Sequence, residues 1–170
     1  MLHLECEEPV KTARLALLFT LTFSLLAASD PFVGTWKLNT NKSKFAPGAP
    51  SFFSATIQIE PAGNGLKSSA SGADGKGLGN DLTFSCQLDG TPCKVTQTTV
   101  VLRSESAVDT ITLKRIDPNT ILATGTREGK LIYSDRRVVA ADGKTMTVVR
   151  DGTTPDGRKY ENTIVLDRFR

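Results

Sequence analysis

After residue 30 the chain never holds apolar residues at helical spacing for three turns. Short runs rich in β-branched residues alternate instead with clusters of Gly, Asn, Asp and Pro, about every 8–12 residues. This cadence predicts ten strands, at 34–39, 51–59, 65–71, 81–88, 92–98, 108–116, 120–127, 130–139, 144–150 and 159–169. None of the connections is long enough for a crossover helix, so neighbouring strands are expected to be antiparallel. An up-and-down sheet of that size curls and closes, which removes its exposed edges. The expected fold is all-β, an antiparallel up-and-down barrel of about ten strands spanning residues 30–170.

Connection lengths point the same way. In such a barrel, alternate loops lie at opposite ends. One end receives PAGNG, LDGT, DPN and AADG, all short. The other receives 40–50, 72–80, 99–107, the tight Glu128-Gly129 turn and 151–158. One end is therefore expected to be sealed and the other to form a mouth. At the mouth, Lys42, Lys44, Phe45 and Ala46-Pro47-Gly48-Ala49-Pro50 form a stiff basic segment, which suits a solvated loop, a lid or a docking strip.

Ahead of this domain lies an address. Residues 15–28 read LALLFTLTFSLLAA, preceded by Lys11 and Arg14 and followed by Ser29. The run is short for a membrane span of about 20 apolar residues, and its small residues suit a signal peptidase. Residues 1–29 are expected to be a signal peptide, with an uncleaved membrane anchor as the alternative. The mature protein is then secreted or periplasmic, with no membrane attachment. A net charge of +3, evenly spread, gives no basic stripe for nucleic acid, and a monomer is expected.

Cleavage also removes His3, the only histidine. A domain without histidine has no Ser-His-Asp or Cys-His machinery and no imidazole for a metal. Cys86 and Cys93 alone are too few for structural zinc. No catalytic residues, metal or cofactor are expected, and the domain is read as non-enzymatic. Those two cysteines flank Leu88-Asp89-Gly90-Thr91, and a hairpin centred on Asp89-Gly90 sets them opposite each other. A cross-strand disulfide and two free, small apolar side chains both remain open. Thiol titration of the folded protein separates them: a bridge leaves neither cysteine reactive, and the alternative leaves two.

The stretch Asp30–Leu38, DPFVGTWKL, resembles the start of the first strand in lipocalins and fatty-acid-binding proteins. In that calycin group a G-x-W packs at the closed end, often beneath an arginine of the last strand. The resemblance assigns these structural roles to Gly34, Trp36 and Arg168. Gly34–Phe45, Asp109–Ile116, Arg136–Val149 and the final strand extend it to small exported bacterial proteins that are lipocalin-like and of unassigned function.

Tight turns set register, and register sets which side chains face inward. Centring on Glu128-Gly129 pairs Leu122 with Asp135 and Thr124 with Tyr133. Centring on Asp142-Gly143 pairs Asp135 with Arg150, Arg137 with Val148 and Val139 with Met146. The Asp117–Thr120 turn pairs Arg115 with Leu122. One face then carries Ile111, Leu113, Arg115, Leu122, Thr124, Leu131, Tyr133, Asp135, Arg137, Val139, Met146, Val148 and Arg150, and is assigned to the interior.

That assignment places Arg115, Asp135 and Arg150 in one row, with Tyr133 and Arg137 beside it. Guanidinium groups in a barrel suit a carboxylate head group. These five residues are the candidate site for a small amphipathic anion, lipid-like in class. The alternatives are an internal ion pair that fixes register, or an inverted face that turns the row to solvent. At the level of function, the rivals are a filled barrel that acts through its outer surface and a small enzyme using carboxylate and arginine chemistry.

Overall fold

The computed structural model describes residues 29–74, 79–97, 107–154 and 156–169. The expected signal peptide, up to residue 28, lies outside the described residues, as do parts of three mouth loops and Arg170.

Ten strands form, in the expected order: β1 (Gly34–Leu38), β2 (Phe52–Ala62), β3 (Gly65–Asp74), β4 (Gly79–Gln87), β5 (Asp89–Gln97), β6 (Thr110–Asp117), β7 (Thr120–Arg127), β8 (Lys130–Val139), β9 (Thr145–Thr153) and β10 (Lys159–Phe169). Each pairs antiparallel with its sequence neighbours, and β1 pairs with β10 to close the barrel. The fold is an all-β, closed, antiparallel ten-stranded barrel.

One end is plugged. Trp36 is completely buried and Phe32 nearly so. The indole Nε1 donates to the Phe32 carbonyl at 2.8 Å. Arg168, the register partner of Trp36, places its guanidinium carbon 4.1 Å from the indole centroid. Its nitrogens also donate to the carbonyls of Val33 and Pro31 at 2.6 Å each, and to that of Gly143. The stacking contributes about 0.5–2 kcal/mol, and the carbonyls leave the head group little freedom. Gly34 is required here because its φ is +137° and a β-carbon would collide with Nη1 of Arg168.

Two bulges correct the expected interior face. Between β6 and β7 the register shifts between Arg115 and Asp117, leaving Ile116 unpaired. Between β7 and β8 it shifts between Gly125 and Thr126, leaving Ile132 unpaired. Each extra residue reverses the in–out alternation beyond it. The strand between the bulges is therefore turned over: Ile121, Ala123 and Gly125 face inward, whereas Leu122 is exposed. Leu131 is likewise exposed rather than interior. The inward faces of β6, β8 and β9 hold Ile111, Leu113, Tyr133, Asp135, Val139, Met146 and Val148.

Cys86 and Cys93 are joined by a disulfide with Cα atoms 5.4 Å apart. Ladder pairing of β4 with β5 covers Leu82–Phe84 against Val95–Gln97. The bridge ties the two strands further along, toward the Asp89-Gly90 turn.

The plug makes a sharp stability prediction. Gly34→Ala should cost about 1–3 kcal/mol, read as a lower urea midpoint by Trp36 fluorescence. An unchanged midpoint would show that neither the backbone nor Arg168 is constrained at this position.

Candidate functional site

Above the plug the barrel encloses a cavity of about 120 Å³. One wall comes from β2, β3 and β4 and is apolar or small: Ala55, Ile57, Ile59, Ala70, Gly72, Leu82 and Phe84. The facing wall, from β8, β9 and β10, adds Tyr133, Asp135, Arg137, Met146, Val148, Arg150 and Ile164. All of the charge on the lining comes from Asp135, Arg137 and Arg150.

The Asp142-Gly143 turn fixes this facing wall. Gly143 takes φ +68°, Lys144 N–H donates to Asp142 Oδ1 at 2.9 Å, and Ala140 N–H donates to the Thr145 carbonyl at 2.9 Å. With that turn set, Asp135 falls opposite Arg150 and Arg137 opposite Val148. Arg150 grips Asp135 through both carboxylate oxygens, Nε to Oδ1 at 2.7 Å and Nη2 to Oδ2 at 2.9 Å. Arg137 adds one bond, Nη2 to Oδ2 at 3.0 Å. The Tyr133 ring covers Arg150, with the guanidinium carbon 3.8 Å from its centroid.

The Asp135 side chain is wholly buried. Burial works against its charge, but the charges and hydrogen bonds of Arg150 and Arg137 outweigh it and hold the carboxyl below its ordinary value. Burial also opposes the charge on Arg150, and Asp135 more than compensates, so this guanidinium stays protonated. Burial raises the Tyr133 phenol. Within the lining, two cations thus face one anion. Arg137 keeps a buried Nε with no hydrogen-bond partner, an arrangement that is costly when left uncompensated.

Of the five sequence-predicted site residues, the structure brings four together: Tyr133, Asp135, Arg137 and Arg150. Arg115 is not among them. Because of the bulge at Ile116, it pairs with Ile121 and sits at the plug. There its guanidinium carbon stands 5.4 Å from the Phe32 ring centroid. It forms an ion pair with Asp30 and donates to the Pro118 carbonyl at 2.8 Å.

Sequence reasoning missed Asn162, which faces Arg150 from β10 and is fully buried. Its Oδ1 accepts from Ala46 N–H at 2.9 Å and its Nδ2 donates to the Pro50 carbonyl at 2.8 Å. The basic segment between β1 and β2 is thereby pinned as a strap along β10, where Lys44 and Thr163 also exchange backbone hydrogen bonds. The signal was present: Tyr160, Asn162, Ile164 and Leu166 share one face of a strand, and an asparagine on a buried face must be bonded.

No family model matches the chain, and no curated protein matches it. The chain is similar to a solved structure of a zebrafish ileal bile acid-binding protein complexed with cholic acid. The two share 7% identity over 82% of this chain and 99% of that one, with a TM-score of 0.48. The chemistry of this lumen is that of its own side chains.

Asp135→Asn should destabilise the fold by about 3–5 kcal/mol at neutral pH, because it strands two buried guanidiniums. The pH dependence has a definite sign. Since the folded carboxyl lies below the ordinary value for an aspartate, its contribution is complete above about pH 4 and disappears as pH falls through the folded value. Urea unfolding from pH 2 to 7 should therefore show a shallower acid slope in the variant. Equal slopes would mean that Asp135 is not held charged.

Proposed function

We propose that the barrel is a non-enzymatic binding protein for a small amphipathic mono-anion, held with its charged group at Arg137. The supporting observation is the surplus cation in the lumen: Asp135 neutralises one guanidinium, and the buried Nε of Arg137 still lacks an acceptor. A carboxylate would supply both the charge and the acceptor. The apolar β2–β4 wall gives the remainder of such a ligand a dry surface.

Volume limits the class. At about 120 Å³ the cavity is smaller than an engineered one of about 150 Å³ that takes benzene. This favours a short chain over a polycyclic ligand. The same figure, below the roughly 300 Å³ of drug-sized pockets, supports a second reading in which the barrel is essentially filled and works through its outer surface. We further infer that the protein acts as a monomer outside the cytoplasm, as a relative of the exported lipocalin-like group. The apolar run at 15–28 and the Cys86–Cys93 bridge favour export.

Hexanoate and hexan-1-ol differ in charge at nearly equal size, so NMR titration with both is a direct test. Saturable shifts at β8 and β9 are expected with hexanoate only. Arg137→Gln should weaken that binding about tenfold or more while leaving circular dichroism unchanged. Equal uptake of the alcohol, or no uptake of either, would favour the filled barrel.

A further inference from the structure

One row of side chains lies next to the polar cluster on its mouth side: Gly125, Tyr133, Gly152 and Tyr160, paired in that order across β7, β8, β9 and β10. Glycine and tyrosine alternate along it, and each ring lies over the glycine of a neighbouring strand. A β-carbon at Gly125 would stand 2.6 Å from Cζ and 2.7 Å from Cε1 of Tyr133, and 2.8 Å from Cγ1 of Val108. At Gly152 it would stand 2.5 Å from Cζ of Tyr160. Neither glycine has a positive φ. What these positions require is space above the backbone.

The two rings have different neighbours. Tyr133 lines the cavity and stacks on Arg150, whereas Tyr160 does not line it. Tyr133 is also four residues closer than Arg137 to the Glu128-Gly129 turn at the mouth. A ligand entering from that end passes the Tyr133 ring before it reaches Arg137. Where that ring rests therefore determines the clear width of the lumen.

We propose that Gly125 sets the bore of the lumen by seating the Tyr133 ring against the β7 backbone, and that the bore selects unbranched chains. The ligand class rests on the anion-binding reading above, but the bore itself does not. Adding a methyl group at Gly125 drives the ring off its seat and into the cavity. Adding one at Gly152 displaces only Tyr160 and leaves the cavity as it is. The pair forms an internal control, since both substitutions overpack a Gly–Tyr contact and only one narrows the lumen.

Two probes separate the claims: hexanoate for the anion site, and xenon, a neutral filler of apolar cavities, for the bore alone. In Gly125→Ala, both should bind about tenfold more weakly or worse, while Gly152→Ala should bind both as wild type does. Gly125→Ala combined with Tyr133→Leu should restore xenon uptake. If Gly125→Ala does not fold, Tyr133→Leu alone carries the test. Wild type should discriminate against 3,3-dimethylbutanoate, the branched isomer, and the variant should narrow that gap about tenfold.

Wild-type xenon uptake by Gly125→Ala, or undiminished discrimination in Tyr133→Leu, would overturn the assignment. Xenon uptake without hexanoate binding would sink the anion site and leave the bore standing. Uptake of neither probe by wild type would sink both.

Discussion

The contact on which the barrel depends is Arg168 over Trp36. Closing an up-and-down sheet requires the first and last strands to meet, and here they pair over only four residues, Thr35–Leu38 against Leu166–Phe169. So short a ladder is weak by itself. Arg168 reinforces it by leaving the sheet and gripping the N-terminal turn through the carbonyls of Pro31 and Val33. Phe32, whose carbonyl accepts from the indole, is buried in the same cluster as Trp36, and the end of the tube is sealed by packing as well as by strand pairing. A guanidinium suits this task because its planar fork donates in several directions while its face remains free to stack.

A rigid floor makes an unusual interior tenable. Buried ion pairs seldom add much stability over an apolar core, because desolvation offsets the attraction. Two cations around one carboxylate are less favourable still. Register is the clearest structural return: Asp135 bonds with Arg150 across the β8–β9 ladder and with Arg137 along its own strand. One carboxylate would suffice for that with one guanidinium. The second guanidinium bonds to the same carboxylate yet stays incompletely bonded, so one positive charge in the cluster has no anion of its own among the described residues.

Much of this was legible in the sequence because tight turns are local. Asp142-Gly143 fixes β8 against β9 unaided, so Asp135, Arg137 and Arg150 could be brought together from spacing alone. The strand cadence likewise gave all ten strands, with ends displaced by a few residues. Bulges were not legible. Ile116 and Ile132 look like ordinary strand residues, and nothing local marks either as the one left unpaired. Because one bulge lies on each side of β7, their effects offset each other: β7 is turned over while β6 and β8 keep their faces. The cost fell on rows that cross β7, and Arg115 was lost from the site for that reason. Asn162 was missed for a different one. Its partners, Ala46 and Pro50, are more than a hundred residues away, and only the closure of the barrel brings them near.

Closure also explains why the strap and the polar cluster belong together. Between Leu38 and Phe52 the chain leaves the sheet, yet it continues to hydrogen-bond to β10 through Asn39, Ser43 and Lys44. It turns at Pro47-Gly48, where φ +74° at Gly48 suits a tight turn closed by Ala49 N–H to the Ala46 carbonyl at 3.0 Å. Both arms of that turn end on Asn162, the cross-strand neighbour of Arg150. Phe45 and Phe52, ring centroids 6.2 Å apart, flank it, and Phe52 also stands 5.8 Å from the Arg150 guanidinium carbon. The strap thus shares side chains with the wall of the lumen. A displacement of Arg150 would be felt at Asn162 and Phe52, so the polar cluster and the segment beside the mouth form one packed unit.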